Sequence, residues 1–333
     1  MAGNFHTILT MKALITGGTG FIGSHLIEFL LDKRFEIFAL VRDLHNLKWL
    51  KGLNIHLLKG DLLSIPSLPS DIDYVFHVAG LTNSLNVAAY YTVNQQGTAS
   101  LFHSLRSQKI LPEKIIYLSS LAAAGPSFDG NPVQERNPPH PITPYGKSKL
   151  MGEAEALKFK DVYPIVILRA GAVFGPRDKD FLHYFKLIKR GILPTLSSQQ
   201  RLLSLCYVKD LIKAFYLCSQ KELESGEIFN ITNQNPCSWD EFGEAAGKVM
   251  GKTLKKMKIS LPIAYLAAFI SDIGSRISKK PSIINLDKFK QMRQRGWIAT
   301  IDKATEKLSF QPQYSLQVAV QETIDWYLKH NWL

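Results

Sequence analysis

The sequence predicts an α/β fold, a doubly wound parallel sheet with a smaller C-terminal lobe. Three observations lead there. The apolar run Ala13-Leu14-Ile15 feeds a glycine-rich turn, Thr16-Gly17-Gly18-Thr19-Gly20-Phe21-Ile22-Gly23. That turn opens a segment with helical apolar spacing, marked by Leu26, Leu30 and Leu31. Further short apolar runs alternate with helical periodicity through the first half. They are continuous rather than alternating in polarity, which suits parallel strands covered on both faces.

The elements follow in order. Lys12–Thr16 reads as the first strand and about Gly20–Asp32 as the first helix. Glu36–Val41, Asn54–Lys59, Tyr74–Val78, Lys114–Leu118 and Ile165–Leu168 read as strands two to six. A helix is expected over Asn94–Ser107 and another after Tyr145. Right-handed crossovers between such strands wind the sheet in both directions. Past Arg169 the pattern loosens, broken by Gly175-Pro176, Gly191 and Pro194. Gly226–Thr232 reads as a late strand returning to the sheet, and Val318–Leu328 carries helical spacing. The sheet-forming unit is expected over residues 11–170, with pieces from about 205–233 returning to it. Residues 171–204 and 234–333 form mainly a lobe over the carboxyl ends of the strands, where open α/β sheets bind ligands. The absence of a clean linker predicts one unit with a cleft.

The 333 residues carry a net charge of +12. Cys206, Cys218 and Cys237 are odd in number and lack C-x-x-C spacing, so neither a disulfide framework nor a metal site is expected. A reducing, cytoplasmic compartment fits. The N-terminus lacks the basic-then-apolar order of a signal peptide. Residues 1–10 precede the first strand and are left out of the fold, with Met11 as an alternative start. Charge is uneven: between Gly251 and Lys303 twelve Lys/Arg face three Asp, a balance of +9. These charges flank the apolar run Leu261–Ile270, which is shorter than the ~20 residues a spanning helix needs. It reads as a core helix with solvated flanks, or as a peripheral contact with an anionic membrane. No nucleic-acid reader motif is present.

The glycine turn carries the first chemistry. A strand running into glycines and then into a helix lets backbone N–H groups face a diphosphate at the helix N-terminus. Gly17, Gly20 and Gly23, with Phe21 and Ile22 between them, are the candidates for that role; a phosphate-binding P-loop is excluded because no Lys-Ser/Thr follows. The end of the second strand should read the adenosine ribose. About 24 residues past Gly17, where an acid would favour NAD, stand Val41 and then Arg42. An Arg there neutralises the extra phosphate of NADP, so NADP is favoured, with NAD as the alternative if Asp43 turns inward. Asp61, followed by Leu62, is placed to accept from the adenine amino group or to cap the next turn. Ala79 and Gly80 end the fourth strand, and small residues there let backbone approach the cofactor. His77 reads as a core histidine.

Tyr145 and Lys149 carry the second chemistry. Four residues apart on a helix, they share a face. A free phenol has a pKa of ~10, and a nearby ammonium favours its phenolate. Tyr145 can then give a proton to a carbonyl oxygen or take one from an alcohol. Ser120 closes the fifth strand, where its hydroxyl can hold the substrate oxygen.

These residues together resemble the short-chain dehydrogenase/reductase superfamily, extended type. The resemblance runs through Thr16–Gly23, Asp61, His77–Gly80, Val93-Asn94 with Gly97-Thr98, Ser119-Ser120, Tyr145–Lys149, Gly175-Pro176 and the ending from Lys303 to Trp326. It implies a Rossmann fold from Met11 onward and a catalytic set of Ser120, Tyr145 and Lys149. It also implies a position for Asn94 beside the nicotinamide and a homodimer formed through the helix that carries Tyr145. Sugar-nucleotide epimerases of this type usually place an Arg where Leu203 stands, and Phe174 replaces their more usual Tyr. Leu202, Leu203 and Leu205, with Leu261–Ile270, predict a greasier substrate site, similar to the dihydroflavonol-reductase and 3β-hydroxysteroid-dehydrogenase branches. The stretch Ser119–Pro126 resembles bacterial members named epimerase/dehydratase. The expected function is NADP(H)-dependent hydride transfer to or from an apolar ketone or secondary alcohol, with a sugar-nucleotide epimerase/dehydratase as the alternative.

Overall fold

The computed structural model describes residues 10–196, 201–278 and 285–333. The N-terminal residues 1–9, and parts of the predicted lobe at 197–200 and 279–284, lie outside the described residues.

Seven parallel strands form the central sheet. In chain order they are β1 (Lys12–Thr16), β2 (Glu36–Val41), β3 (His56–Lys59), β4 (Tyr74–His77), β5 (Lys114–Ser120), β6 (Ile165–Ala170) and, much later, β11 (Glu227–Ile231). Their order across the sheet is β11-β6-β5-β4-β1-β2-β3. The direction of winding therefore reverses between β1 and β4, and a ligand crevice opens at such a switch point, outside the carboxyl ends of the strands.

Side chains leave each strand to opposite faces, and both faces are covered. On one face Ala13 and Ile15 of β1 join Leu26, Ile27 and Leu30 of α1 (Phe21–Asp32) in one core. On the other, Leu14 and the β5 residues Ile115 and Tyr117 pack with Leu101, Phe102 and Leu105 of α3 (Gly97–Ser107). Edge strand β3 is exposed along most of its length, and it pairs only from His56. The strand expected from Asn54 thus begins two residues later.

The helix expected from Asn94 begins seven residues sooner. Asn86 caps α2 (Val87–Tyr91), its side chain accepting from the Ala88 N–H. A π-helical turn, Thr92–Gln96, then joins α2 to α3. Beyond β5 come α4 (Leu121–Ala124) and α5 (Pro144–Leu157), the latter with Pro144 in its first turn and a Thr143 cap.

The remaining elements follow, and one helix among them, Val208–Gln220, packs on a face of the central sheet through Phe215 against Phe76. They comprise β7 (Ala172–Phe174), α6 (Leu182–Lys189), β8 (Ile192–Leu196), β9 (Leu202–Leu203), β10 (Leu205–Tyr207) and α7 (Val208–Gln220). After β11 follow β12 (Cys237–Ser238), α8 (Trp239–Val249), β13 (Lys255–Ile259), α9 (Leu261–Ser278), α10 (Leu286–Met292), β14 (Gly296–Trp297), α11 (Asp302–Leu308) and α12 (Leu316–Lys329). Leu203 and Leu205 are buried, in strands paired with β12, β14 and β7. Phe174 is fully buried against Phe181, Tyr207 and Phe242. Leu203 and Leu205 thus build core rather than line an open cleft, which corrects the part of the sequence argument that drew an apolar substrate site from those two residues.

Candidate active site

The glycine loop sits at the switch point. Gly17 adopts φ +75°, a conformation that L side chains rarely take. A Cβ there would lie 2.7 Å from the backbone of Ala79, so the loop after β1 and the loop after β4 touch. A Cβ on Gly23 would meet the Gly17 carbonyl oxygen at 2.2 Å, which holds the first turn of α1 against the loop. Gly20 caps α1 without a side-chain hydrogen bond, and no acidic residue occupies the first turn. The first N–H groups of α1 therefore meet neither a capping side chain nor a carboxylate, the environment a diphosphate requires. Phe21 and Ile22 are half-buried at that turn. The loop fits a dinucleotide.

Thr16 and His77 lock the two loops together. The Ala79 N–H donates to Thr16 Oγ1, and Thr16 Oγ1 meets His77 Nδ1 at 2.7 Å. His77 Nε2 lies 3.0 Å from Thr98 Oγ1, which donates to the Asn94 carbonyl. The network assigns a neutral ring: the Thr16 hydroxyl donates to Nδ1, and Nε2–H donates to Thr98. Complete burial pushes the His77 pKa down to about 3. It is a core histidine, as its sequence context predicts. Thr16, His77 and Thr98 all fall in the motifs of the resemblance, but nothing in their spacing signals that they hydrogen-bond to one another.

Asn94 lies on the π-helical turn and is buried. Its side chain receives the Leu81 N–H and donates to the Leu81 carbonyl and to Ser148 Oγ. It fixes the loop after Gly80. A Cβ on Gly80 would lie 3.2 Å from Asn94 Oδ1 and 3.7 Å from Lys149 Nζ. The loop after β4 therefore touches both the glycine turn and Lys149.

Thr143 and Pro144 start α5, so Tyr145 lies in its first turn and Lys149 one turn on. The Ser120 hydroxyl acts on the Tyr145 phenol, favouring its ionised form, and Ser120 Oγ caps α4 by accepting from Ala122 N–H. The Tyr145 ring lies 6.2 Å from that of Tyr90. Lys149 Nζ donates to the Leu118 carbonyl and lies 4.3 Å from the Tyr117 ring centroid. Desolvation lowers the Lys149 pKa to about 7, opposed by Glu153. This corrects the expectation that an ammonium draws the phenol down. Burial instead pushes Tyr145 up to about 12, and the group that pulls it back is the Ser120 hydroxyl.

At the adenosine end Arg42 follows β2, exposed, with no ion pair or hydrogen bond among the described residues. Asp43 Oδ1 receives the His45 N–H, so that carboxylate is engaged in its own turn. Asp61 Oδ1 likewise caps a turn, receiving the Leu63 N–H at 3.0 Å. Leu62 is buried against Gly97 of α3.

A doubly wound sheet with a glycine loop at its switch point, and a hydroxyl, a phenol and an amine grouped beside it, defines an enzyme of the extended short-chain dehydrogenase/reductase class. The chain belongs to the NAD dependent epimerase/dehydratase family, whose model matches residues 13–232. It is 27% identical over 324 residues to a ceramide reductase of Caulobacter vibrioides, covering 96% of this chain and 95% of that one. It is 28% identical over 345 residues to a decarboxylating sterol-4-alpha-carboxylate 3-dehydrogenase of Candida albicans, covering 95% and 97%. In fold it is similar to the UDP-glucuronic acid 4-epimerase of Bacillus cereus, solved with UDP-glucuronic acid and NAD. That likeness has a TM-score of 0.77 at 24% identity and covers 96% and 100% of the two chains.

Proposed function

We propose that the protein is an NADP(H)-dependent oxidoreductase acting on a ketone or secondary alcohol of a mostly apolar small molecule. The observation that carries this reading is the placement of Ser120, at the end of β5, beside Tyr145 in the first turn of α5, with Lys149, Gly80 and Ala79 leading to the glycine loop. The nicotinamide, when bound, supplies or accepts a hydride. Ser120 holds the substrate oxygen by hydrogen bond. Tyr145 delivers its phenolic proton to that oxygen, or removes one from an alcohol in reverse. Lys149, buried beside Gly80, would hold the nicotinamide ribose by hydrogen bond when the cofactor is bound.

Arg42 supports NADP because it stands free at the end of β2 while Asp43 is engaged elsewhere. Two relatives whose names specify a ceramide and a sterol substrate support an apolar molecule. Direct titration with NADPH and NADH tests the cofactor. NADPH is expected to bind at least tenfold tighter, and Arg42→Ala to remove most of that difference, about the 1.4 kcal/mol that a factor of ten represents. Tighter NADH binding overturns the assignment of Arg42. Turnover assays with hydrophobic ketones test the substrate class.

A second reading, a sugar-nucleotide epimerase/dehydratase, is favoured by the similarity to the Bacillus cereus epimerase. A nicotinamide that co-purifies, together with thermal stabilisation by UDP-sugars and not by hydrophobic carbonyls, would establish it. We further propose a cytoplasmic homodimer formed through α5, where Met151 is exposed. Light scattering tests the mass, with Met151→Glu expected to give monomers.

A further inference from the structure

Helix α9 is inverted with respect to the rest of the protein. Its sheltered side presents small residues: Ala268 is fully buried, Ser275 nearly so, and Ala264 is half-buried. Its open side presents large apolar ones. Ile263, Leu266, Ile270, Ile273 and Ile277 follow helical spacing and are 44–80% exposed. Beside that stripe the rings of Tyr265 and Phe269 stack, and Tyr265 meets Phe289 of α10 edge-on. A helix folding onto a core turns its large apolar face inward. A contiguous exposed apolar stripe marks an interaction surface.

The charge around this stripe is positive. β13 leads directly into α9, with Lys255, Lys256 and Lys258 exposed and Met257 among them. Lys256 is paired with Asp240 and Glu244. Lys255 and Lys258 make no ion pair among the described residues, nor do the exposed Arg293 and Arg295 just beyond α10. An apolar helix face with unpaired cations at its edges suits the boundary between acyl chains and anionic headgroups. Among the described residues no helix is long and apolar enough to cross a membrane, so α9 would lie in the plane.

We propose that α9, with β13 and α10, docks on an anionic lipid surface. Docking stands apart from the reading of the cleft as a site for an apolar carbonyl; delivery of substrate from the bilayer rests on that reading.

Co-sedimentation with phosphatidylcholine vesicles, with and without phosphatidylglycerol, tests docking without any turnover. Wild type is expected to pellet with the anionic vesicles at low salt and to be released at high salt, where the attraction is screened. Lys255→Ala/Lys258→Ala should weaken binding by roughly tenfold or more, as two cations near such a surface are lost. Leu266→Asp/Ile270→Asp should abolish it. Because these side chains are exposed, the variant should keep the wild-type melting temperature and its stabilisation by NADPH. Wild type remaining in the supernatant at low salt overturns the proposal, and so does an aspartate variant that still pellets. A dimer that the aspartate variant converts to monomer also overturns it, since a second copy would then cover the face. Pelleting without reduction of any apolar carbonyl upholds docking and removes the substrate reading; reduction without pelleting does the reverse.

Discussion

Glu153 and Arg169 form a buried, two-pronged ion pair. Arg169 Nε donates to one carboxylate oxygen at 2.9 Å and Nη2 to the other at 2.6 Å, with the side chains 2% and 4% exposed. Ser119, next to Ser120, donates to the same carboxylate. Glu153 is one turn beyond Lys149 and two beyond Tyr145, on one face of α5. The pair therefore ties the helix bearing Tyr145 to β6, and through Ser119 to the strand end bearing Ser120.

Neutralising one partner should be costly. Glu153→Gln leaves the Arg169 charge buried without its counter-ion, a change worth about 3–5 kcal/mol. In a chain of this size that corresponds to a melting temperature lower by on the order of 10 °C. Glu153→Leu with Arg169→Met removes both charges and should regain most of the loss. Thermal melts of the three proteins check this; a Glu153→Gln melt equal to wild type would mean that the pair does not hold α5 in place.

Tyr145→Phe keeps the ring beside Tyr90 and removes only the proton. NADPH binding, followed by fluorescence titration, should stay within a few-fold of wild type, while turnover falls by about 10²–10⁴. With the phenol pushed up to about 12, the wild-type enzyme should reduce ketones with little dependence on Tyr145 ionisation near neutrality. Alcohol oxidation, which needs the phenolate, should gain nearly tenfold per pH unit in the same range.

Gly17→Ala combines two penalties. The position is at φ +75°, and the added methyl would lie 2.7 Å from Ala79 Cα and N. Strain of about 1–2 kcal/mol from the left-handed backbone adds to a displaced Ala79 loop. The expected outcome is a modestly lower melting temperature and a dinucleotide affinity reduced by more than tenfold, since that loop is also where Gly80 meets Lys149. Calorimetric titration with NADPH checks it; unchanged affinity would place the diphosphate elsewhere.

The glycine turn, the parallel strands and the Tyr145–Lys149 pair were legible because each is written in contiguous residues with a fixed period. What escaped sequence reading depends on contacts between distant residues. Thr16, His77 and Thr98 meet only because β1 and β4 are neighbours across the switch point. Glu153 stands in register with Tyr145 and Lys149, but its partner Arg169 lies just past the strand read at Ile165–Leu168, and the structure extends that strand to Ala170. The π-helical turn leaves no periodic trace, so the helix through Asn94 was begun at that residue rather than at Val87. The direction of the Tyr145 shift failed for a physical reason. Spacing reports which groups are near, but not the burial that weakens the ammonium and raises the phenol together.

That burial has a consequence for stability that separates two pH windows. Lys149 has a folded-state pKa of about 7 against 10.5 for an exposed amine. Below about 7 both folded and unfolded chains carry the proton, and the cost of burying the charge is fully present. Between about 7 and 10.5 only the unfolded chain keeps it, so stability rises with pH at up to about 1.4 kcal/mol per unit. His77, depressed from 6.5 to about 3, acts with the same sign in a lower window: stability is complete above 6.5 and is lost as pH falls toward 3. Lys149→Met should therefore be inactive yet more stable than wild type near pH 6, by up to a few kcal/mol. Its urea midpoints should also lack the rise between about pH 7 and 10.5, while the acid limb assigned to His77 remains. Midpoints of wild type and variant that run parallel through the upper window would show that Lys149 is not the buried base described here.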